Sequence, residues 1–169
     1  EPCSDTLYLH RRELFEQARR PVVVLPAASD WTGCVNSAGR PAPLERLNRL
    51  RELFYAEPAS LGQRPLPLAH LSTSAKCRSY AENAHWQSGR ILFATINLPA
   101  NNNHYRPEAG RNSEFEARLV ANRHWLPRLL ALAHRKKLDG IRLLSTGGAG
   151  ALSPGPGTPA AAAANQQGR

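Results

Sequence analysis

The sequence predicts an α/β fold. Three observations carry that expectation: the short β-branched run Pro21-Val-Val-Val-Leu-Pro26, the amphipathic repeat over residues 43–56, and the strand-like Arg90-Ile-Leu-Phe-Ala-Thr-Ile-Asn97 followed by a long helical pattern. An apolar run too short for a helix and closed by prolines reads as a buried strand of a parallel sheet. In open α/β sheets ligands are held beyond the carboxyl ends of strands. The stretch Ala27-Ala-Ser-Asp-Trp-Thr-Gly-Cys34 is therefore the first place to look for a site.

Taken in order, Ser4 is suited to cap a helix over about 5–19, with Leu7, Leu14, Phe15 and Ala18 buried, Arg11, Arg12 and Arg19 outside, and His10 on the wet face. The strand 21–26 follows, then a turn-forming stretch over 36–43. Pro43 fits the first turn of the next helix, about 43–56. Leu44, Leu47, Leu50, Leu53 and Phe54 form its apolar stripe, and Glu45, Arg46, Arg49, Arg51 and Glu52 its solvated face. Residues 57–80 hold three prolines and read as one long irregular segment, in which His70 is a surface or hydrogen-bonded histidine. A strand begins between Tyr80 and Trp86, and Gly89 turns the chain into the strand 90–97.

Leu98-Pro-Ala-Asn-Asn-Asn-His-Tyr105 is a loop, because proline stops a ladder and asparagine accepts turn conformations. Ser113-Glu-Phe-Glu116 has the spacing of a capping box. Phe115, Leu119, Trp125, Leu126, Leu129, Leu130 and Ala133 continue at helical spacing to about Arg135, and Pro127 should kink or split that helix near His124. Lys136 and Lys137 complement the dipole at its end. Ile141–Leu144 is a third strand. Gly148-Ala-Gly150 begins a phosphate-loop pattern, but Ser153 stands at the third glycine position and the prolines beyond it forbid a helix. Residues 1–144 thus read as the domain, and 145–169 as a Gly/Pro/Ala-rich tail whose composition predicts disorder.

Length allows one domain with a core, or part of a larger one. Glu1-Pro-Cys-Ser4 reads as the interior of a longer protein, a processed or truncated start. No apolar run approaches the roughly 20 residues of a membrane helix, and no signal peptide is visible. The net charge of +9 permits weak attraction to nucleic acid or another polyanion, with Arg46, Arg49 and Arg51 on one helix. Since 19 of the 22 basic residues are arginine in an alanine- and proline-rich chain, GC-rich coding accounts for part of that charge. Cys3, Cys34 and Cys77 have no zinc-type spacing. They allow one disulfide with a free thiol, or three reduced thiols. There is no G-x-S-x-G elbow, no H-E-x-x-H, and no catalytic setting for a cysteine.

A set of short phrases adds to this. Glu1-Pro-Cys-Ser-Asp5, Pro26-x4-Trp31-Thr-x-Cys34, Pro43-Leu-Glu-Arg-Leu47, Arg51-x2-Phe54, Glu82-Asn-x2-Trp86, Phe93-Ala-Thr-x-Asn97, Asn102-Asn103 and Ala121-x3-Trp125-Leu126 occur in this order. Together they resemble the central part of a bacterial calcineurin-like metallophosphoesterase family, often exported, over roughly residues 1–140.

The resemblance implies part of an α/β/β/α sandwich whose strand-end loops hold two divalent metal ions that clamp a phosphoester and activate water. Much of the family's ligand set would fall outside the matching stretch. One motif, a Gly-Asp-Asn-Glu-type loop, should lie inside it, and here it reads Ala27-Ala28-Ser29-Asp30. The expected oxygen ligand is Ala28, whose methyl group cannot ligate a hard cation. Asn102, Asn103 and His104 remain as positions near a phosphate or metal. The expectation is a metallophosphoesterase-type domain that is inactive or very weak, with no cofactor of its own and a phosphoester small molecule as possible partner. The alternatives are a non-catalytic basic module for nucleic acid or another polyanion, and a truncated or frameshifted product.

Overall fold

The first helix begins where Ser4 caps it. Ser4 is extended (φ −71°, ψ 152°) and its Oγ accepts the Leu7 N–H at 3.2 Å, starting α1 (Asp5–Glu16). This computed structural model describes residues 3–99, 104–106 and 112–147 of the chain. Asn102, Asn103 and the tail from Gly148 onward, including its glycine-rich start, lie outside the described residues.

α1 ends short of residue 19, and its buried face differs from the expected stripe. Tyr8 is fully buried, whereas Leu14 is exposed and Leu7 and Phe15 are half-buried. The tyrosine turns inward because its hydroxyl finds an acceptor there, donating to the Asp30 carbonyl at 2.7 Å. Arg11 and Arg12 are half-buried rather than outside, each drawn to a carboxylate, Asp30 and Glu16. Arg19 and His10 are exposed.

The run Val22–Leu25 does not form the expected strand. Among the described residues its only bridge is Val22 with Leu61, through paired hydrogen bonds of 2.9 and 3.0 Å. A strand needs a neighbour, and the one available turns back on itself. Ala59 bridges Pro67, and the Ser60 N–H donates to the Leu66 carbonyl at 2.8 Å. Val22–Leu25 therefore lie half-buried beside α2 (Pro43–Phe54), where the Tyr55 hydroxyl donates to the Val24 carbonyl at 2.9 Å. α2 follows its sequence pattern at Leu47, Leu50, Leu53 and Phe54, all buried, while Leu44 is exposed. Its charged face is not wholly solvated, because Arg51 is buried as well.

The segment 57–80 is less irregular than expected. It contains the two-residue strand β1 (Ala69–His70) and two single 3-10 turns, Leu71–Thr73 and Ala75–Cys77. β2 (Ala84–Ser88) and β3 (Ile91–Thr95) form a hairpin through Gly89, whose φ of 57° suits glycine. Then α3 (Ser113–Arg135) crosses to β4 (Gly140–Leu144), which lies parallel to β3. The sheet order is β1-β2-β3-β4, with the first two pairings antiparallel. Mixed α/β architecture is thus present as one four-stranded mixed sheet with three α-helices among the described residues.

α3 corrects three expectations. The capping box does not form: Asn112 is the N-cap, and its side chain is occupied by the Arg106 N–H and carbonyl at 2.8 and 3.1 Å, leaving Ser113 inside the helix. Pro127 does not split the helix, which runs as one element to Arg135. Pro127 and Arg123, whose carbonyl the ring deprives of a partner, both face solvent, where water can satisfy that oxygen. The buried stripe is Arg118, Ala121, Asn122, Trp125, Leu129 and Ala133, and Leu130 is exposed.

Two apolar clusters result. Leu92 and Ala94 of the sheet pack under Ala121, Trp125, Leu129 and Ala133 of α3. Tyr8, Trp31 and Cys34 pack with Leu47, Leu50, Leu53 and Phe54 of α2. Cys3 and Cys34 are joined as a disulfide with Cα atoms 5.9 Å apart, and Cys77 is a buried free thiol. Among the described residues no helix is long and apolar enough to cross a membrane.

Candidate functional site

The loop singled out in the sequence is a single 3-10 turn, Ala28–Asp30, and its own aspartate closes it. Asp30 Oδ2 accepts the Ala27 N–H at 2.8 Å, and Asp30 Oδ1 accepts from Arg11 Nη1 at 3.1 Å. Both oxygens of the one carboxylate in this loop are therefore engaged. Ala27 itself is extended (φ −78°, ψ 160°), a conformation that needs no glycine. Ala28 offers only a methyl group, and Ser29 is exposed and makes no side-chain hydrogen bond among the described residues.

The turn delivers Trp31 into the interior, fully buried. There it meets His104, edge to face with ring centroids 4.7 Å apart. Two loops far apart in the sequence, 27–31 and the one carrying His104, thus come into contact. His104 adopts φ 61° and is half-buried. Burial, reinforced by the charges of Arg106 and Arg118, lowers its pKa below the ordinary histidine value. An open cavity of about 390 Å³ adjoins it, with Thr32, Val35, Pro41, Tyr105 and Arg106 on its walls. Among the described residues no carboxylate lines it.

Behind Trp31 lies a group of buried charges that the sequence pattern does not bring together; the helical period puts Arg51 on a solvated face. Glu82, 1% exposed, sits between two arginines. Arg51 binds it through two hydrogen bonds, Nε to Oε2 at 2.9 Å and Nη2 to Oε1 at 2.7 Å. Arg118 Nη1 reaches Oε1 at 3.3 Å, and Asn97 Nδ2 reaches the same oxygen at 3.1 Å. Arg118 also pairs with Glu114, one helical turn earlier. The Arg118 guanidinium lies 5.7 Å from the Trp31 ring centre and 5.6 Å from that of Tyr80, and Arg51 lies 5.0 Å from Tyr80.

Two positive and two negative side chains make this tetrad formally neutral. Burial alone would push Glu82 toward its neutral acid. The charges and hydrogen bonds of Arg51, with the charge of Arg118, outweigh that and hold its pKa below the usual carboxylate value. Around it, Asn83 Nδ2 donates to Asn122 Oδ1 at 2.8 Å, the Asn97 N–H donates to Asn83 Oδ1 at 2.8 Å, and Trp125 Nε1 donates to the Thr95 carbonyl at 3.0 Å. This network joins α2, the approach to β2, the end of β3 and α3, and so ties the two apolar clusters to each other. A signal for it was present. On a helical wheel Arg118 and Asn122 fall in the same stripe as Trp125 and Leu129, and a charge on an apolar stripe demands a buried partner.

Among the described residues, the side chains at the loop 27–30 and around His104 do not fit the two divalent ions that the family resemblance implies. A hard cation needs convergent oxygen or imidazole donors. At the loop 27–30 one candidate position is a methyl group and the only carboxylate is spent on Ala27 and Arg11. His104 stands among arginine charges, and among the described residues no group of three or more His, Cys, Asp or Glu side chains converges. Comparison of the chain with protein-family models, with curated proteins and with solved structures found no match.

Proposed function

We propose that this chain is a metallophosphoesterase-like domain, a fragment or degenerate member of that family, that does not hydrolyse phosphoesters as it stands. The observation that carries the reading is the state of the loop 27–30. It adjoins Trp31, whose ring meets His104, and its carboxylate serves as a turn cap while Ala28 offers only a methyl group. The layering is compatible with part of an α/β/β/α sandwich. Val22–Val24 line one small gap together with Phe54, Tyr55, His70 and Ala84. The sheet β1–β4 would then stand for one sheet of that sandwich, and α3 for the layer outside it. A phosphoester small molecule is the ligand class this reading retains, with His104 and Arg106 beside the adjoining cavity.

A polyanion-binding role receives no support from the helix that suggested it. Arg46 pairs with Asp5 at 2.9 Å, Arg49 with Asp5 and Glu52 at 2.9 and 3.0 Å, and Arg51 with Glu82. Their charge is largely balanced within the fold.

Purified chain assayed with a phosphomonoester and a phosphodiester in the presence of manganese, zinc or iron is expected to give no turnover above the metal-only blank. Metal-dependent hydrolysis that disappears on chelation would overturn the reading.

A further inference from the structure

The half-buried run Val22–Leu25 leaves backbone groups unused. Among the described residues, the N–H groups of Val23, Val24 and Leu25 make no hydrogen bond, and neither do the carbonyls of Val23 and Leu25. Consecutive unpaired amides in a partly buried β-branched segment are uncommon, because each one withdrawn from water without a partner is costly. Val22 exchanges both of its bonds with Leu61, and the alternation of a strand turns the groups of Val23 and Leu25 to the opposite edge. That edge is a template for one more strand.

We infer that Val23–Leu25 is a docking edge for an extended peptide strand, apolar in its middle and acidic at its flank. This inference stands apart from the proposed function and does not depend on it. Two features specify the partner. A cavity of about 210 Å³ opens beside Val24 and Leu25; Phe15, Leu50, Phe54 and Tyr55 give it an apolar wall that can receive an apolar side chain of the incoming strand, and the Arg11–Asp30 pair also lines it. At the amino-terminal end of the edge, Arg19 and Arg20 are exposed and have no carboxylate partner among the described residues. Gly62 packs so tightly on the Arg20 carbonyl that a side chain there would collide with it, which fixes the backbone at that end. Arg64 is also exposed and unpaired among the described residues. Backbone pairing would supply affinity, the cavity and the arginines selectivity.

The test is hydrogen exchange read by NMR on the isotope-labelled chain. The probe is a synthetic peptide of alternating valine and threonine with paired glutamates at both ends. Without peptide, the amides of Val23 and Leu25 should exchange rapidly while those of Val22 and Leu61 are protected. The peptide should slow Val23 and Leu25 by about tenfold or more. The same peptide N-methylated at alternate amides keeps its side chains and should give no protection. The exposed double substitution Arg19→Glu with Arg20→Glu should weaken binding about tenfold while leaving thermal unfolding unchanged.

Failure of the glutamate peptide to protect the edge overturns the inference, as does equal binding by the N-methylated peptide. Protection in the free chain also overturns it. Concentration-independent protection would mean internal pairing, and protection rising with concentration would mean pairing with a second copy.

Discussion

Replacing Glu82 with alanine is expected to destabilise the fold by about 3–5 kcal/mol, the range for removing one partner of a buried ion pair. The size follows from what is left behind. Arg51 and Arg118 would keep their charges in the interior with only Glu114 between them, and Arg51 would lose a two-bond partner. In a domain of this size each kcal/mol moves the melting temperature by about 2–4 °C, so a fall of about 10 °C or more is expected, or loss of the cooperative transition. Thermal and urea unfolding followed by circular dichroism read this directly. Asp139→Ala, which removes the exposed Arg90–Asp139 pair, should change little by comparison. A Glu82 variant as stable as the parent would mean that the tetrad is solvated and does not hold the two clusters together.

The same residue sets an acid limb. Glu82 has a lower pKa folded than unfolded, so its contribution is complete above the unfolded carboxylate value of about 4.3 and is lost as pH falls through the folded value. His104, also lowered in the fold, adds a shallower loss that starts below about pH 6.5, where the unfolded chain binds a proton that the folded chain resists. Stability should therefore decline on acidification in two stages, and Glu82→Gln should flatten the second.

Breaking the Cys3–Cys34 bond is expected to cost about 3–4 kcal/mol, the loop-closure entropy for a bridge spanning 31 residues. The bridge ties the start of α1 to the chain just after Trp31, the same place where the Tyr8 hydroxyl holds the Asp30 carbonyl. Loss of the disulfide should loosen the loop 27–34 first, since the bridge is the covalent tie between that loop and α1, beside the Tyr8 hydrogen bond and the Arg11–Asp30 pair. Melting the chain with and without a reductant, and melting the double variant Cys3→Ser with Cys34→Ser, should give the same fall of about 10 °C. Cys77→Ser separates this from a general thiol effect, because its sulfur is buried and unbridged. Equal melting temperatures in both redox conditions would show that the bridge contributes nothing.

What was legible beforehand divides along the line between local and non-local physics. Ser4, Pro43 and Gly89 announce their cap, first turn and hairpin through their own backbone preferences, and the structure uses each in that way. Leu47, Leu50 and Leu53 need only a helical period to be placed on a buried face. Val22–Leu25 carries the local signature of a strand, but pairing is supplied by other segments, and Ala59 and Ser60 pair back with Pro67 and Leu66, which leaves Leu61 alone to meet Val22. The capping position slipped by one residue because Asn112 finds Arg106, a contact no spacing rule contains.

At the site, loop 27–31 does meet His104, but the run before that loop is not the strand that suggested it, and the tetrad behind it was missed. Arg51 and Glu82 look like surface charges one at a time, and become interior only once α2, α3 and the sheet enclose them together. Tyr8 is similar: its inward position depends on the Asp30 carbonyl, whose location the turn decides.

The proposal that the loop 27–30 has lost metal ligation is tested most directly by equilibrium dialysis of the chelator-stripped chain against manganese, with the bound metal counted per chain. Retention no greater than that of a heat-unfolded control is expected, because Ala28 offers no donor and Asp30 is held by Ala27 and Arg11. Stoichiometric retention at micromolar free manganese, lost in the Asp30→Ala variant, would contradict it.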